Sequence, residues 1–306
     1  MKYYFYSAAL IAIAIFVVAF IPYIVDFSEQ TLISWEVPAN SSQVAGVQKI
    51  NVPPSSQNIE APDLTAKAIL IKDLATGTIL YQKNTNDPLP IASTTKVMTA
   101  LIASEYYKAN SVLTIGDSAS TPGSRVGFTK GEQLSFRSVL YGMLLNSGND
   151  AANALAENYQ GGVTSFIVAM NKKVSDLGLV HTHFDNPVGF DSPNSYSSAE
   201  DLAKITEEAL KNAQLSRIFS TKETDIVSLD KRFSYKLHNL NKLLSSVSGV
   251  LGVKTGYTEA AKENLVTLVE RNGHRILVVV LGSDDRFGES TRLIEWAYKN
   301  FSWLDI

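Results

Sequence analysis

The run Leu265-Val266-Thr267-Leu268-Val269-Glu270-Arg271-Asn272-Gly273-His274-Arg275-Ile276-Leu277-Val278-Val279-Val280-Leu281 decides the fold class. Two apolar stretches, 265–270 and 276–281, flank Asn272-Gly273, the pair best suited to the two left-handed positions of a tight hairpin turn. A second hairpin stands far upstream. Ala66-Lys67-Ala68-Ile69-Leu70-Ile71-Lys72-Asp73 reads as a strand, Ala75-Thr76-Gly77 as a turn, and Thr78-Ile79-Leu80-Tyr81 as the returning strand. Between the two hairpins the apolar spacing becomes helical and predicts helices over 136–145, 150–158, 163–177 and 199–211. Gly178 is a C-terminal cap for the third, and Ser197-Ser198-Ala199-Glu200 opens the fourth in the manner of a capping box. A last helix is predicted over 288–301, with Leu293, Ile294 and Trp296 apolar. Strands at both ends with helices between predict an α+β domain, one antiparallel sheet covered by helices, rather than a doubly wound parallel sheet.

The chain has 306 residues, a net charge of -3 and no cysteine. Without cysteine there are no disulfides, no thiolate chemistry and no Cys-based metal site. Without a basic excess there is no means to neutralise phosphates, so no nucleic-acid partner is expected. The N-terminus is distinctive. Tyr3 to Val25 contains no charged residue, and about 20 apolar residues suffice to cross a bilayer. Lys2 precedes the run and Asp26 and Glu29 come after it, which places the N-terminus in the cytoplasm and exports the rest. Tyr3, Tyr4, Tyr6 and Tyr23 suit the two membrane interfaces. A cleaved signal peptide is the alternative. The run is longer than a signal core, and Phe20-Ile21-Pro22-Tyr23 offers no small-x-small cleavage site, so a retained transmembrane anchor over 1–27 is favoured. Ser, Asn, Gln and Pro dominate 28–64, which reads as a tether without a core of its own. The remaining 65–306 is expected to fold as one domain.

Chemistry enters at Ser93-Thr94-Thr95-Lys96. Pro88 and Pro90 break the pattern just before it, and Val97, Met98, Leu101 and Ile102 then recur at helical spacing. A serine hydroxyl is a poor nucleophile until a base takes its proton, and positions i and i+3 of a helix share a face. Lys96 is therefore within reach of Ser93. The helix start would also set N–H groups and positive dipole near an oxyanion formed there. Alone, Ser-x-x-Lys is usually a capping serine and a solvated lysine. Ser147-Gly148-Asn149 and Lys254-Thr255-Gly256, coming after it in that order, complete the three-part signature of penicillin-binding proteins and class A β-lactamases, with Gly148 where the usual middle element has Asp.

The flanks extend the match. They include Leu89-Pro90-Ile91-Ala92, Leu144-Leu145-Asn146 before Ser147, and Asp150-Ala151-Ala152 after Asn149. Further along stand Phe184-Asp185-Asn186-Pro187-Val188-Gly189-Phe190, Asn239-Leu240-Asn241-Lys242-Leu243-Leu244 and Gly252-Val253-Lys254-Thr255-Gly256-Tyr257-Thr258. From Ala66 to Phe301 the chain resembles the serine-type D-Ala-D-Ala carboxypeptidases, the low-molecular-mass penicillin-binding proteins of peptidase family S11. Gly148 is the residue that branch usually carries. The resemblance implies a DD-peptidase/β-lactamase-like fold, with an antiparallel sheet of about five strands packed between helices and a helical lobe.

It also implies roles. Ser93 attacks the carbonyl of the penultimate D-Ala of a peptidoglycan stem peptide, and Lys96 takes its proton, aided by burial and the nearby Lys254 cation. Ser147 relays a proton to the leaving amine. Asn149 bonds the substrate amide or holds Lys96. Lys254, Thr255 and Gly256 lie on a strand edge and take the terminal carboxylate, with Arg286 nearby by its spacing to Trp296. The N–H groups of Ser93 and Tyr257 form the oxyanion hole. β-Lactams would be covalent inhibitors. No cofactor and no metal is expected, since His181, His183, His238 and His274 lack His-Glu-x-x-His spacing. Gly249 to Thr255 is no P-loop, no Gly-x-Ser-x-Gly elbow occurs, and no Glu-x-x-Leu-Asn segment supports β-lactamase turnover. D,D-endopeptidase action and a catalytically dead wall-binding module are the rival readings. Two departures from the family stand out: Lys262 where it usually has glycine, and Ser195 where it often has histidine. The resemblance leads one to expect that the family's second β-domain and C-terminal amphipathic anchor are missing, with the N-terminal helix serving in place of that anchor.

Overall fold

The computed structural model describes residues 52–304. In chain order its strands are β1 (Ser55–Ser56), β2 (Ala68–Asp73), β3 (Ile79–Lys83), β4 (Val112–Thr114), β5 (Gln133–Ser135), β6 (Glu223–Val227), β7 (Ser234–His238), β8 (Val250–Thr258), β9 (Lys262–Arg271), β10 (His274–Ser283) and β11 (Phe301–Ser302). The helices are α1 (Lys96–Tyr106), α2 (Phe136–Leu145), α3 (Asn149–Glu157), α4 (Gly162–Asp176), α5 (Ala199–Leu210), α6 (Ala213–Phe219), α7 (Leu243–Ser246) and α8 (Arg286–Asn300). The predicted α+β architecture is the observed one: a five-stranded antiparallel sheet in the order β3-β2-β10-β9-β8. Asn272 and Gly273 join β9 to β10 with φ of 51° and 79°, the doubly left-handed turn that matches the strands' own twist.

The central strands of the sheet are buried on both faces, which is why β2 and β10 carry nearly continuous apolar runs. Ala68, Leu70, Val266, Leu268, Leu277 and Val279 face the core shared with α1 to α6. Their neighbours Ile69, Ile71, Leu265, Val269, Ile276 and Val278 face Leu293, Ile294 and Ala297 of α8. Side chains alternating across a strand make this division automatic. Two positions confirm predicted caps: Ser198 Oγ accepts from Asp201 N at the start of α5, and Gly178 ends α4 at φ 64°.

Three differences from the sequence reading have physical causes. Ala92–Thr95 is a 3-10 turn, and the α-helix begins only at Lys96. Segment 52–64, the end of the expected tether, is tied to the domain. β1 pairs with β11, Ile59 N donates to Asn300 Oδ1, and Trp296 Nε1 donates to the Ile59 carbonyl. A two-residue polar strand has no periodicity to betray it. The hairpin-like pairs β4–β5 and β6–β7 are also absent from the sequence reading, the first being only three residues a side. The predicted anchor, 1–27, and tether residues 28–51 lie outside the described residues. Among the described residues no helix is long and apolar enough to cross a membrane.

Lys262 sits at φ 57°, directly after the three-residue loop 259–261 that joins β8 to β9. This is the left-handed position of a bulged hairpin, normally filled by glycine. Ser195, the other departure, is buried, and its N–H donates to Ser192 O. Lys262→Gly is expected to stabilise the domain by about 1 kcal/mol and raise Tm by roughly 2–4 °C, measured by thermal denaturation.

Candidate active site

The site forms where the edge strand β8 meets the 3-10 turn 92–95 and the α2–α3 connection. β8 comes so close that a Cβ on Gly256 would lie 2.9 Å from Ile91 O and 3.1 Å from Thr94 N. On the other side of the turn, a Cβ on Gly189 would lie 2.0 Å from Ala92 O. Both contacts need glycine, and Gly189 also needs it for its φ of 88°. The residue before the nucleophile candidate, Ala92, is itself left-handed at φ 48°, as is Ser147 at 56°. Non-glycine residues in that region cost of order 1–3 kcal/mol each and persist where the surroundings dictate them.

In a 3-10 turn residues i and i+3 eclipse, which sets Lys96 over Ser93. Lys96 is wholly buried, and its Nζ lies 2.9 Å from Ser93 Oγ, 2.8 Å from Asn149 Oδ1 and 2.6 Å from Val188 O. The Asn149 amide is oriented by its other end, since Nδ2 donates to Pro122 O at 2.8 Å. Two of the three partners of Lys96 are therefore pure acceptors. A charged ammonium donates to all three. A neutral amine has two N–H groups, which those two acceptors consume, and its lone pair is left facing the Ser93 hydroxyl. Burial, and then the Lys254 cation, push Lys96 well below the ordinary lysine range, with Asp150 opposing.

A second amine–hydroxyl pair stands beside the first. Lys254, also buried, donates to Ser147 Oγ at 3.0 Å and to Thr255 O at 2.9 Å. Burial, then the Arg286 charge, lower its pKa to about 7. Arg286 opens α8 and donates from Nη1 to Gly256 O at 2.9 Å, and its Nε is buried without a partner among the described residues. Arg286 thus provides a positive charge beside β8, and Lys254 a second one while it is protonated. Thr255 is buried, whereas Tyr257 is half exposed at the rim, its hydroxyl donating to Glu259 Oε1.

Ser93, Lys96, Ser147, Asn149, Lys254, Thr255, Gly256 and Arg286 lie close together, with Tyr257 at the edge. Val188 and Gly189 are participants that sequence reasoning misses. They lie in a quoted motif, but a backbone carbonyl carries no side-chain signature. Asp150 is missed too, although it adjoins Asn149.

A family profile described as D-alanyl-D-alanine carboxypeptidase, peptidase S11, matches residues 55–285. The chain belongs to this family. It is 35% identical over 246 residues to the D-alanyl-D-alanine carboxypeptidase DacF of Bacillus subtilis, an alignment covering 77% of this chain and 63% of that protein. This chain thus spans less than two thirds of that relative's length. A D-alanyl-D-alanine endopeptidase of Pseudomonas aeruginosa is 32% identical over 264 residues, 84% of each chain. The Streptomyces K15 DD-transpeptidase crystal structure superposes with a TM-score of 0.75 at 32% identity, covering 79% of this chain and 100% of that one.

A lysine whose pKa is lowered in the folded state destabilises that state while protonated. The penalty is full below the folded value near 7 and is relieved as pH rises toward the unfolded value, about 10.4. Lys254→Met is therefore expected to raise the stability of the free domain at pH 6 by about 2 kcal/mol. The gain should shrink above pH 9, as read by denaturant titration at both pH values.

Proposed function

We propose that this protein is a serine-type D-Ala-D-Ala carboxypeptidase acting on peptidoglycan pentapeptide stems. The observation that carries the reading is the buried Lys96 amine, whose remaining lone pair has only the Ser93 hydroxyl to face. In the proposed reaction Ser93 Oγ attacks the carbonyl carbon of the penultimate D-Ala as Lys96 accepts its proton. The oxyanion is held by the N–H groups of Ser93 and Tyr257. The C–N bond breaks, and Ser147 passes its hydroxyl proton to the leaving D-Ala amine while protonated Lys254, which donates to Ser147 Oγ, returns one to it. Lys254, Thr255, Gly256 and Arg286 receive the terminal carboxylate, an assignment supported by the two cations beside β8. Asn149 steadies Lys96 throughout. Water then hydrolyses the ester. A β-lactam, whose amide and carboxylate imitate the D-Ala-D-Ala end, enters the same path and stops at the acyl-enzyme.

The N-terminal apolar run 3–25 supports a single-pass location, with the catalytic domain outside the cytoplasm and facing the wall. Endopeptidase cleavage of cross-links is the second reading, favoured by the similarity to the Pseudomonas endopeptidase. It uses the same residues and differs only in the group attached beyond the scissile bond.

Incubation with a pentapeptide stem is expected to release free D-Ala, with Ser93→Ala at least about 1000-fold slower. Labelled penicillin is expected to modify the peptide containing Ser93, read by mass spectrometry. Equal D-Ala release by wild type and Ser93→Ala would refute the reading, and preferential cleavage of cross-linked muropeptides would transfer it to the endopeptidase.

A further inference from the structure

Asp150 is wholly buried one residue beyond Asn149, at the start of α3. Backbone amides surround its carboxylate. Oδ1 accepts from Val126 N at 3.0 Å and Ala151 N at 2.9 Å, and Oδ2 accepts from Gly127 N at 2.8 Å and Phe128 N at 3.2 Å. Four donors replace the water this anion gives up on burial. Three of them belong to consecutive residues of one loop, and that loop also holds Asn149. Pro122 O accepts from Asn149 Nδ2 at 2.8 Å, and Ser124 O accepts from Asn149 N at 2.7 Å. The contact leaves no room beside it, for a Cβ on Gly148 would lie 2.8 Å from both Asp150 Oδ1 and Val126 Cγ2. That packing is a physical reason for Gly148 in the middle motif.

We infer that Asp150 is a positioning residue for the reaction: it clamps loop 122–128 onto α3 and so fixes the Asn149 carboxamide that holds Lys96 against Ser93. The inference rests on the proposed roles of Ser93 and Lys96. Asp150 touches neither substrate nor Ser93; it acts through the loop and Asn149. It also acts at a distance as a charge. The charged groups facing Lys96 are Lys254 from β8 and Asp150 from α3, and they pull in opposite directions.

Asp150→Asn keeps the side-chain volume but turns an N–H toward amides that need an acceptor. Acylation of Ser93 by a fluorescent penicillin is expected to slow about tenfold. In an Asn149→Ala background the same change should cost less than about twofold, because the group being positioned is already gone. Equal losses in the two backgrounds would show general damage and overturn the inference. The acid limb of the acylation–pH profile should move to lower pH, since losing the Asp150 anion eases deprotonation of Lys96; a generally loosened fold admits water to Lys96, relieves the burial that lowers its pKa and moves the limb the other way. Asp150→Ser, smaller and with one acceptor kept, serves as a second variant and should show a loss of the same kind. Hydrogen exchange of the Asn149 side-chain amide is read by NMR without any activity, and it should quicken in both variants. Unchanged protection would overturn the clamp whatever the acylation rate. Faster exchange in both variants, together with a wild type that penicillin never acylates, would leave the clamp standing and sink the proposed reaction instead.

Discussion

Everything in this site depends on putting one amine where water cannot reach it. Lys96 is wholly buried, and each partner of its Nζ comes from a different part of the chain: Ser93 on the preceding turn, Asn149 on α3 and Val188 on the loop after α4. Each is held by something else. Asn149 is fixed through Pro122 O, and the Val188 loop is gathered by Asn186 Oδ1, which accepts from the N–H groups of Val188, Gly189 and Phe190. Gly189 in turn packs on Ala92, beside Ser93. Removing water makes each of these bonds stronger and the loss of any one more damaging. The site is therefore assembled together or not at all.

That requirement explains where strain is found. Three non-glycine residues at positive φ adjoin or carry the reactive groups, Ala92 before Ser93, Ser147 itself and Val253 before Lys254, and the two buried lysines both sit well below their usual pKa range. Neither feature favours folding. The core must offset them, and it is continuous on both faces of the sheet, from Leu70 and Val279 against the helices to Ile71 and Ile276 against α8. Catalytic sites commonly trade stability for poised groups in this way.

Legibility in the sequence tracks the range of the chemistry. Asn272-Gly273 is readable because a two-residue turn is decided by its own residues, and the helix over 136–145 because its apolar spacing is local. Ser93 and Lys96 are readable as a pair for the same reason, although not the 3-10 geometry that joins them, which the close approach of Gly256 and Gly189 accompanies. Long-range pairings leave no trace. Ser55 and Ser302 are polar, short-stranded and at opposite ends of the described chain, so nothing near either announces the other. Asp150 and Val188 are hidden differently: one works through backbone amides and the other with its carbonyl, and neither partner has a side-chain identity to read.

The β1–β11 pair has a mechanical meaning. It forms a separate two-stranded sheet against the end of α8, outside the five strands that carry Lys254 and Thr255. Tension applied to the chain at residue 52 reaches that small sheet first and loads Gln57 N to Asn300 O and Ile59 N to Asn300 Oδ1 before it reaches β2. Because neither Ser93 nor Lys96 bonds to segment 52–64, loosening that segment leaves the hydrogen bonds of the reactive pair intact.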